Sequence, residues 1–141
     1  MPVDPHRSVT ITRTSAGRYT AVNGRGGVLD FGTGDVDDFT PVELFLAAIG
    51  GCTAVDVDIL TTRRAEPESF VVQVDGDKVR DDDGSRMEEL SVILRVRFPE
   101  GEAGDAARAV LPDAMRRSHE RLCTVSRTVE LGTPVATHIE L

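Results

Sequence analysis

Residues 40–64 read TPVELFLAAIGGCTAVDVDILTTRR, and this stretch decides the fold. Thr40 is a good N-cap, Pro41 suits the first helical position, and Glu43 completes a capping box, so a helix is predicted to begin here. No charged residue interrupts residues 44–55. A helix that is apolar on every side belongs in a core, so the sequence predicts a long buried helix with Cys52 at its centre.

Strand signals precede this helix. Apolar and polar residues alternate over residues 8–13 and 18–22, and a third short run covers residues 28–31, which predicts an N-terminal β-meander of two or three strands. Within the helix, Gly50 and Gly51 are costly for helix stability. We therefore expect another backbone to approach closely there, for instance that of a second helix, either within the subunit or across a dimer axis.

Further elements follow the helix. Residues 70–74 and 90–98 predict a second β-hairpin, and apolar spacing over residues 104–122 predicts a second helix. Pro112 lies inside that helix and should kink or split it. The tail, residues 128–141, predicts one or two more strands. The order of elements is that of an α+β fold.

Composition narrows the class of protein. A chain of 141 residues with 40% hydrophobic residues fits one folded domain over residues 1–141. The net charge of −8 argues against nucleic acid or an anionic membrane as a partner. The uncharged run in the long helix is shorter than the ~20 residues that span a bilayer, and the first residues have no signal-peptide pattern. We expect a cytoplasmic protein.

The chain has two cysteines, Cys52 and Cys123. In a reducing compartment two such residues are either inert core residues or a redox pair. A thiol becomes a useful nucleophile only as a thiolate, which needs a nearby cation or hydrogen-bond donor. Arg13 and Arg18, on or beside the N-terminal strands, are candidate cations for Cys52, and Arg121 is a candidate for Cys123.

A metal site would use Cys52, Cys123 and His119, but their spacing matches no standard zinc site, so we expect no metal and no cofactor. Asp56 lies four residues after Cys52, shares its helix face, and would raise the pKa of the thiol. Glu43 lies nine residues before Cys52, about 13.5 Å along the helix and on the opposite face. A capping role is therefore favoured for Glu43.

Two segments resemble a known family. Residues 41–54, PVELFLAAIGGCTA, strongly resemble the first-cysteine helix of the OsmC/Ohr superfamily, the osmotically inducible and organic-hydroperoxide-resistance proteins. Residues 122–126, LCTVS, are similar to its second-cysteine motif, C-P-V-S. The order of elements also matches along essentially the whole chain. The resemblance implies an intertwined homodimer with the long helices at its centre and the sites at the subunit interface.

The resemblance also implies a thiol-dependent peroxidase of peroxiredoxin-type activity. Cys52 would attack the O–O bond of an organic hydroperoxide and become a sulfenic acid, Cys123 would condense with it to a disulfide, and an external thiol would restore both. An arginine, either Arg18 or Arg13, would activate the thiolate, and Glu43 would orient that arginine.

The sequence departs from this pattern at two positions. The family's glutamate usually follows the helix-opening proline directly, where this chain has Val42, and Thr124 stands where the family usually has proline. Two alternatives therefore stay open. In the first, the protein would be a non-catalytic homodimer that binds a small apolar ligand or electrophile at the helix interface. In the second, both cysteines would be core residues that take part in no chemistry.

Overall fold

The computed structural model describes residues 4–141 in two compact units, and the chain passes from the first to the second between Phe45 and Leu46. The first unit contains three strands and the start of the long helix. The second contains the rest of that helix, two strands and two more helices. The predicted α+β class is confirmed. That residues 1–141 form a single domain remains a prediction.

The first unit contains the predicted meander. An antiparallel sheet has the order β1-β2-β3, with strands β1 (Val9–Ser15), β2 (Arg18–Asn23) and β3 (Val28–Gly32). Asn23 fixes the second turn, because its Oδ1 accepts hydrogen bonds from the backbone N–H groups of Arg25 at 3.0 Å and Gly27 at 2.9 Å. The rings of Tyr19 and Phe31 stack with their centroids 5.5 Å apart.

Helix α1 spans Pro41–Thr62, with the N-terminus that the capping box predicts. The backbone N–H of Thr40 donates to Glu43 Oε1 at 2.8 Å, and the backbone N–H of Glu43 donates to Thr40 Oγ1 at 3.2 Å. Two of the N–H groups that a helix start leaves unpaired are thereby satisfied.

One face of α1 is buried. Its buried residues recur every three or four positions: Ile49, Gly50, Thr53, Val57 and Thr61. Within a single chain the opposite side of the helix is not buried, because Val55 and Ile59 are 59% and 56% exposed. By length and mean hydropathy (1.7), α1 is the one helix among the described residues that could cross a membrane, a test that core helices of soluble proteins also pass.

Within the chain, a strand approaches α1 at its glycines. A Cβ atom added to Gly50 would lie 2.3 Å from Val74 Cγ2 and 3.3 Å from Val72 Cγ1. Both valines belong to β4 (Ser69–Asp81). A Cβ atom at Gly51 would meet no atom within 4 Å. The predicted close approach therefore occurs at Gly50 alone, and the atoms that approach it belong to valine side chains.

The second hairpin is longer than predicted. β4 pairs antiparallel with β5 (Gly84–Arg97), for example Val72 with Leu94, and the pairing continues to Asp81 opposite Gly84. The polar segment between the two predicted strands therefore extends the hairpin instead of forming a loop. Ion pairs from Arg86 to Asp81 and Glu88 support it at the tip.

Pro112 does not split the second helix. α2 runs unbroken over Glu102–Arg117 and continues into a π-helical turn, Ser118–Leu122. α2 packs on the end of the hairpin in a small core of Ala65, Phe98 and Ala107, with Val96 and Leu111 against it.

The strand prediction for the tail is wrong. A third helix, α3, spans Thr124–Leu131 and ends at Gly132, whose φ of 65° lies in the left-handed region that favours glycine. Residues 133–141 form neither helix nor strand. The β-branched residues of the tail are typical of a strand. A strand also needs a partner strand, and the described residues provide none for the tail.

Candidate functional site

The two cysteines come together in the second unit. Cys52 lies in the middle of α1 and is half-buried, whereas Cys123 joins the π-helical turn to α3 and is completely buried. Both are free thiols, and their sulfur atoms lie within 4.8 Å of each other. A disulfide needs a separation of about 2.05 Å, so side-chain rotation and a small approach are required to form one.

Cys123 acts as the N-cap of α3. Its Sγ accepts a hydrogen bond from the backbone N–H of Ser126 at 3.4 Å and donates to Ser126 Oγ at 3.2 Å. Thr53 Oγ1 donates weakly to the same sulfur at 4.0 Å. Burial raises the pKa of the Cys123 thiol, but the hydrogen bonds with Ser126, Cys52 and Thr53 outweigh it and lower the pKa below its ordinary value.

Cys52 is shifted the other way. Burial raises the pKa of its thiol, and a backbone hydrogen bond from Val125 opposes that effect. The neighbouring Cys123 and the carboxylate of Asp56 raise the pKa further. Within the second unit Cys123 is thus the more acidic thiol, and Cys52 requires an added positive charge to ionise at neutral pH.

Asp56 forms a third part of the site. It lies one helical turn after Cys52, and one of its carboxylate oxygens is within 4.8 Å of both sulfurs. Ser118 Oγ donates a hydrogen bond to Asp56 Oδ2 at 2.8 Å, and Ser118 is fully buried. The sequence places Asp56 on the Cys52 face through the four-residue spacing, but it contains no signal for Ser118, which is 62 positions away.

The other predicted site residues belong to the first unit. Arg18 is the first residue of β2 and Arg13 lies on β1, and both are exposed. Glu43 holds the capping box at the start of α1. No ion pair joins Glu43 to Arg13 or Arg18 within the part of the chain that the structure describes. Catalytic roles for these three residues remain predictions.

A cavity of about 470 Å³ adjoins the cysteine site. Its walls are mainly apolar, with Ile49, Leu90, Val92, Met115 and Val129 among the lining residues. Thr53 and Ser126 also line it, and both contact the Cys123 sulfur. The volume is within the range of small-molecule sites, so a small apolar compound fits beside the thiols.

The fold agrees with comparisons to known proteins. The family model described as OsmC-like protein matches residues 32–138. The chain therefore belongs to the OsmC-like protein family. Comparison with curated proteins gives no match.

Solved structures share this fold. An OsmC-like protein of unknown function from Vibrio cholerae is 17% identical with a TM-score of 0.71, covering 90% of this chain and 95% of that one. A hypothetical protein from Aquifex aeolicus is 23% identical with a TM-score of 0.70, covering 94% and 91%. An organic hydroperoxide resistance protein from Elizabethkingia anophelis is 14% identical with a TM-score of 0.57, covering 91% of each chain. At these identities the likeness concerns the fold alone.

Proposed function

We propose that the protein is a thiol-dependent reductase of organic hydroperoxides that uses Cys52 and Cys123 as a redox pair. The observation that carries this proposal is the approach of two free thiols to within 4.8 Å, one of them half-buried and the other completely buried. Inert core cysteines have no need to lie side by side. Membership in the OsmC-like family supports the same assignment.

The chemistry balances over three steps. The Cys52 thiolate attacks the terminal oxygen of the hydroperoxide, the O–O bond breaks, and the alcohol leaves with one proton. Cys123 then attacks the sulfenic sulfur, the S–S bond forms, and the hydroxyl leaves as water with the second thiol proton. An external dithiol reduces the disulfide by exchange and is itself oxidised.

Access decides which thiol attacks first. Cys123 is completely buried, whereas Cys52 is partly exposed and can meet the peroxide. The raised pKa of Cys52 works against this role, so an activating cation is needed. We assign that role to Arg18, with Arg13 as the alternative, and we assign Glu43 to orienting the arginine, as the family resemblance implies.

The cavity favours an organic substrate over hydrogen peroxide. Its mainly apolar wall would bury an alkyl or aryl group while the peroxide oxygen points toward the thiols. The Elizabethkingia anophelis protein, which shares the fold, is an organic hydroperoxide resistance protein, and an organic hydroperoxide is a compound that such a wall would accommodate.

We further propose that the protein functions as a cytoplasmic homodimer. The exposed side of α1 carries Val55 and Ile59, and the tail leaves Val135, Ile139 and Leu141 exposed. Apolar surface of this kind is typical of protein–protein interfaces. If this surface packed against a second copy, α1 would be buried on every side, as its sequence predicts.

Peroxide consumption by reduced protein tests the proposal. Cumene hydroperoxide is added with a dithiol reductant, and its loss is followed beside the number of free thiols. We expect turnover, loss of two thiols per chain when the reductant is omitted, and no turnover by Cys52→Ser. Survival of both thiols in excess peroxide at neutral pH would rule out the redox pair.

The cavity supports a second candidate, a non-catalytic protein that binds a small apolar ligand. In that case an apolar compound copurifies with the protein, and Cys52→Ser binds it as tightly as the wild type. A hydroperoxide turnover that Cys52→Ser abolishes would exclude this candidate.

A further inference from the structure

We propose that Cys52, Cys123 and Asp56 form a binding site for a thiophilic divalent cation, and that Zn²⁺ is the ion these donors fit best. The two sulfurs and a carboxylate oxygen all lie within 4.8 Å of one another. The site requires only the reduced cysteines and the carboxylate, so it does not depend on peroxidase activity.

Two of the three ligand side chains lie on the same helix. Cys52 and Asp56 lie four residues apart on α1, a spacing that places both side chains on the same side of a helix. Cys123 contributes the third ligand from the start of α3. In a tetrahedral zinc site two sulfurs lie about 3.8 Å apart, so binding requires the two sulfur atoms to approach each other by at most ~1 Å.

The donor chemistry fits zinc. Thiolates favour soft or borderline ions, and a carboxylate is an ordinary third zinc ligand. Three protein ligands leave the fourth position open for water or a small anion. Three groups that are anionic when ionised repel each other at this distance, and a bound cation removes that repulsion.

The surroundings hold these ligands in place. Ser118 Oγ donates a hydrogen bond to Asp56 Oδ2 at 2.8 Å, which holds the carboxylate in its position beside the sulfurs. The backbone N–H of Ser126 donates to Cys123 Sγ at 3.4 Å. Hydrogen bonds of this kind orient metal ligands and are typical of zinc sites.

The third ligand in this cluster is Asp56, and not His119, which the sequence makes a candidate for that role. The imidazole Nε2 of His119 lies 3.4 Å from Glu130 Oε1 at an exposed position. It is not part of the cluster of Cys52, Cys123 and Asp56. The third ligand is thus a carboxylate on α1 and not an imidazole near Cys123.

Zinc binding and disulfide formation exclude each other, because both use the same two sulfur atoms. A bound ion would hold both thiols as thiolates that cannot pair. Binding would therefore keep the site reduced and block its reaction with peroxide until the ion is removed.

Competition titration tests the site. Reduced, chelator-treated protein is titrated with Zn²⁺ against a chromophoric chelator, and Co²⁺ serves as the spectroscopic probe. We expect one ion per chain and a thiolate-to-cobalt charge-transfer band. Loss of a supporting residue costs about 10–100-fold in affinity, so Ser118→Ala should fall in that range and Cys52→Ser or Asp56→Asn beyond it.

Matched controls make the result specific. Asp58→Asn changes the same chemical group on the same helix outside the cluster, and His119→Ala removes the competing ligand. Both should bind zinc like the wild type. Because Cys123 is completely buried and its variants are at risk of misfolding, zinc protection of the wild-type thiols from iodoacetamide is a second readout.

Two results would overturn the site. The first is equal zinc affinity in the wild type and Asp56→Asn, and the second is an absent charge-transfer band in reduced wild type. Peroxide turnover of the metal-free protein is measured in parallel. Zinc binding without turnover supports the metal site and contradicts the proposed function, and turnover without zinc binding does the reverse.

Discussion

Ser118 Oγ donates a hydrogen bond to Asp56 Oδ2 at 2.8 Å, which joins the π-helical turn after α2 to the middle of α1. Cys123 lies five residues after Ser118, and Cys52 lies one helical turn before Asp56. The bond therefore ties together the two segments that carry the thiols. A hydrogen bond to a charged group contributes about 1.5–3 kcal/mol to stability.

Ser118→Ala should lower the free energy of unfolding by about 1–3 kcal/mol, because it leaves a half-buried carboxylate without its partner. Chemical denaturation of the reduced protein measures this change. Ser85→Ala is the matched control, since Ser85 is exposed on β5 and should shift stability by less than about 0.5 kcal/mol. Equal effects of the two substitutions would show that the hydrogen bond from Ser118 to Asp56 does not contribute to the free energy of unfolding.

The two adjacent glycines of α1 should respond in opposite directions. Gly50→Ala places a methyl group 2.3 Å from Val74 Cγ2, and the branched valine has little rotamer freedom to move aside. We expect a loss of about 1–3 kcal/mol from overpacking. Urea unfolding of the variant measures it.

Gly51→Ala is the control for that prediction. Its new methyl group meets no atom within 4 Å, and alanine is the better helix former, so a gain of up to ~1 kcal/mol is expected. A destabilised Gly51→Ala beside an unaffected Gly50→Ala would contradict the packing of β4 on α1.

Asp56→Asn should make Cys52 more reactive at neutral pH. Burial raises the pKa of Cys52, and Cys123 and the negative charge of Asp56 raise it further. Removing that charge lowers the pKa, so the midpoint of the pH–rate curve for alkylation moves to lower pH. Iodoacetamide labelling of chelator-treated protein, with Cys52 identified by peptide mass, measures the curve.

Asp58→Asn is again the reference, because it removes one negative charge from the same helix without touching the cysteines. Its curve should overlay that of the wild type. An Asp56→Asn midpoint that stays in place or rises would show that the carboxylate does not act on the thiol.

Oxidation should stabilise the protein against unfolding. A bond between Cys52 and Cys123 closes a loop of 71 residues, for which chain entropy gives up to about 4 kcal/mol, reduced by any strain in the native state. Thermal unfolding of peroxide-treated protein with and without a reductant measures the difference. Cys52→Ser should show none, and a reductant that raises the wild-type midpoint would contradict a native-like disulfide.

Local chemistry makes α1 predictable from the sequence. Its start depends on Thr40, Pro41 and Glu43, which act within one turn, and the structure begins the helix at Pro41. The strands of the meander depend on alternation and turn residues and are predictable for the same reason. For Thr124–Leu131 the β-branched side chains favour a strand, whereas the Cys123 cap and Gly132 make this segment a helix.

The site is only partly predictable. Cys52 and Asp56 lie on one helix, so their shared face follows from spacing, but nothing local brings Cys123 to them. That approach is expected only from the family resemblance. Ser118 and the valines opposite Gly50 come from distant segments, and single-sequence patterns carry no information on such contacts.

The sulfur that caps α3 is also a redox centre. In the reduced protein Cys123 Sγ accepts a hydrogen bond from the backbone N–H of Ser126 at 3.4 Å, and in a disulfide the same sulfur is a poorer acceptor. The first turn of α3 is therefore held more firmly in the reduced protein than in the oxidised one. Hydrogen exchange at the Ser126 amide would therefore report the oxidation state of Cys123.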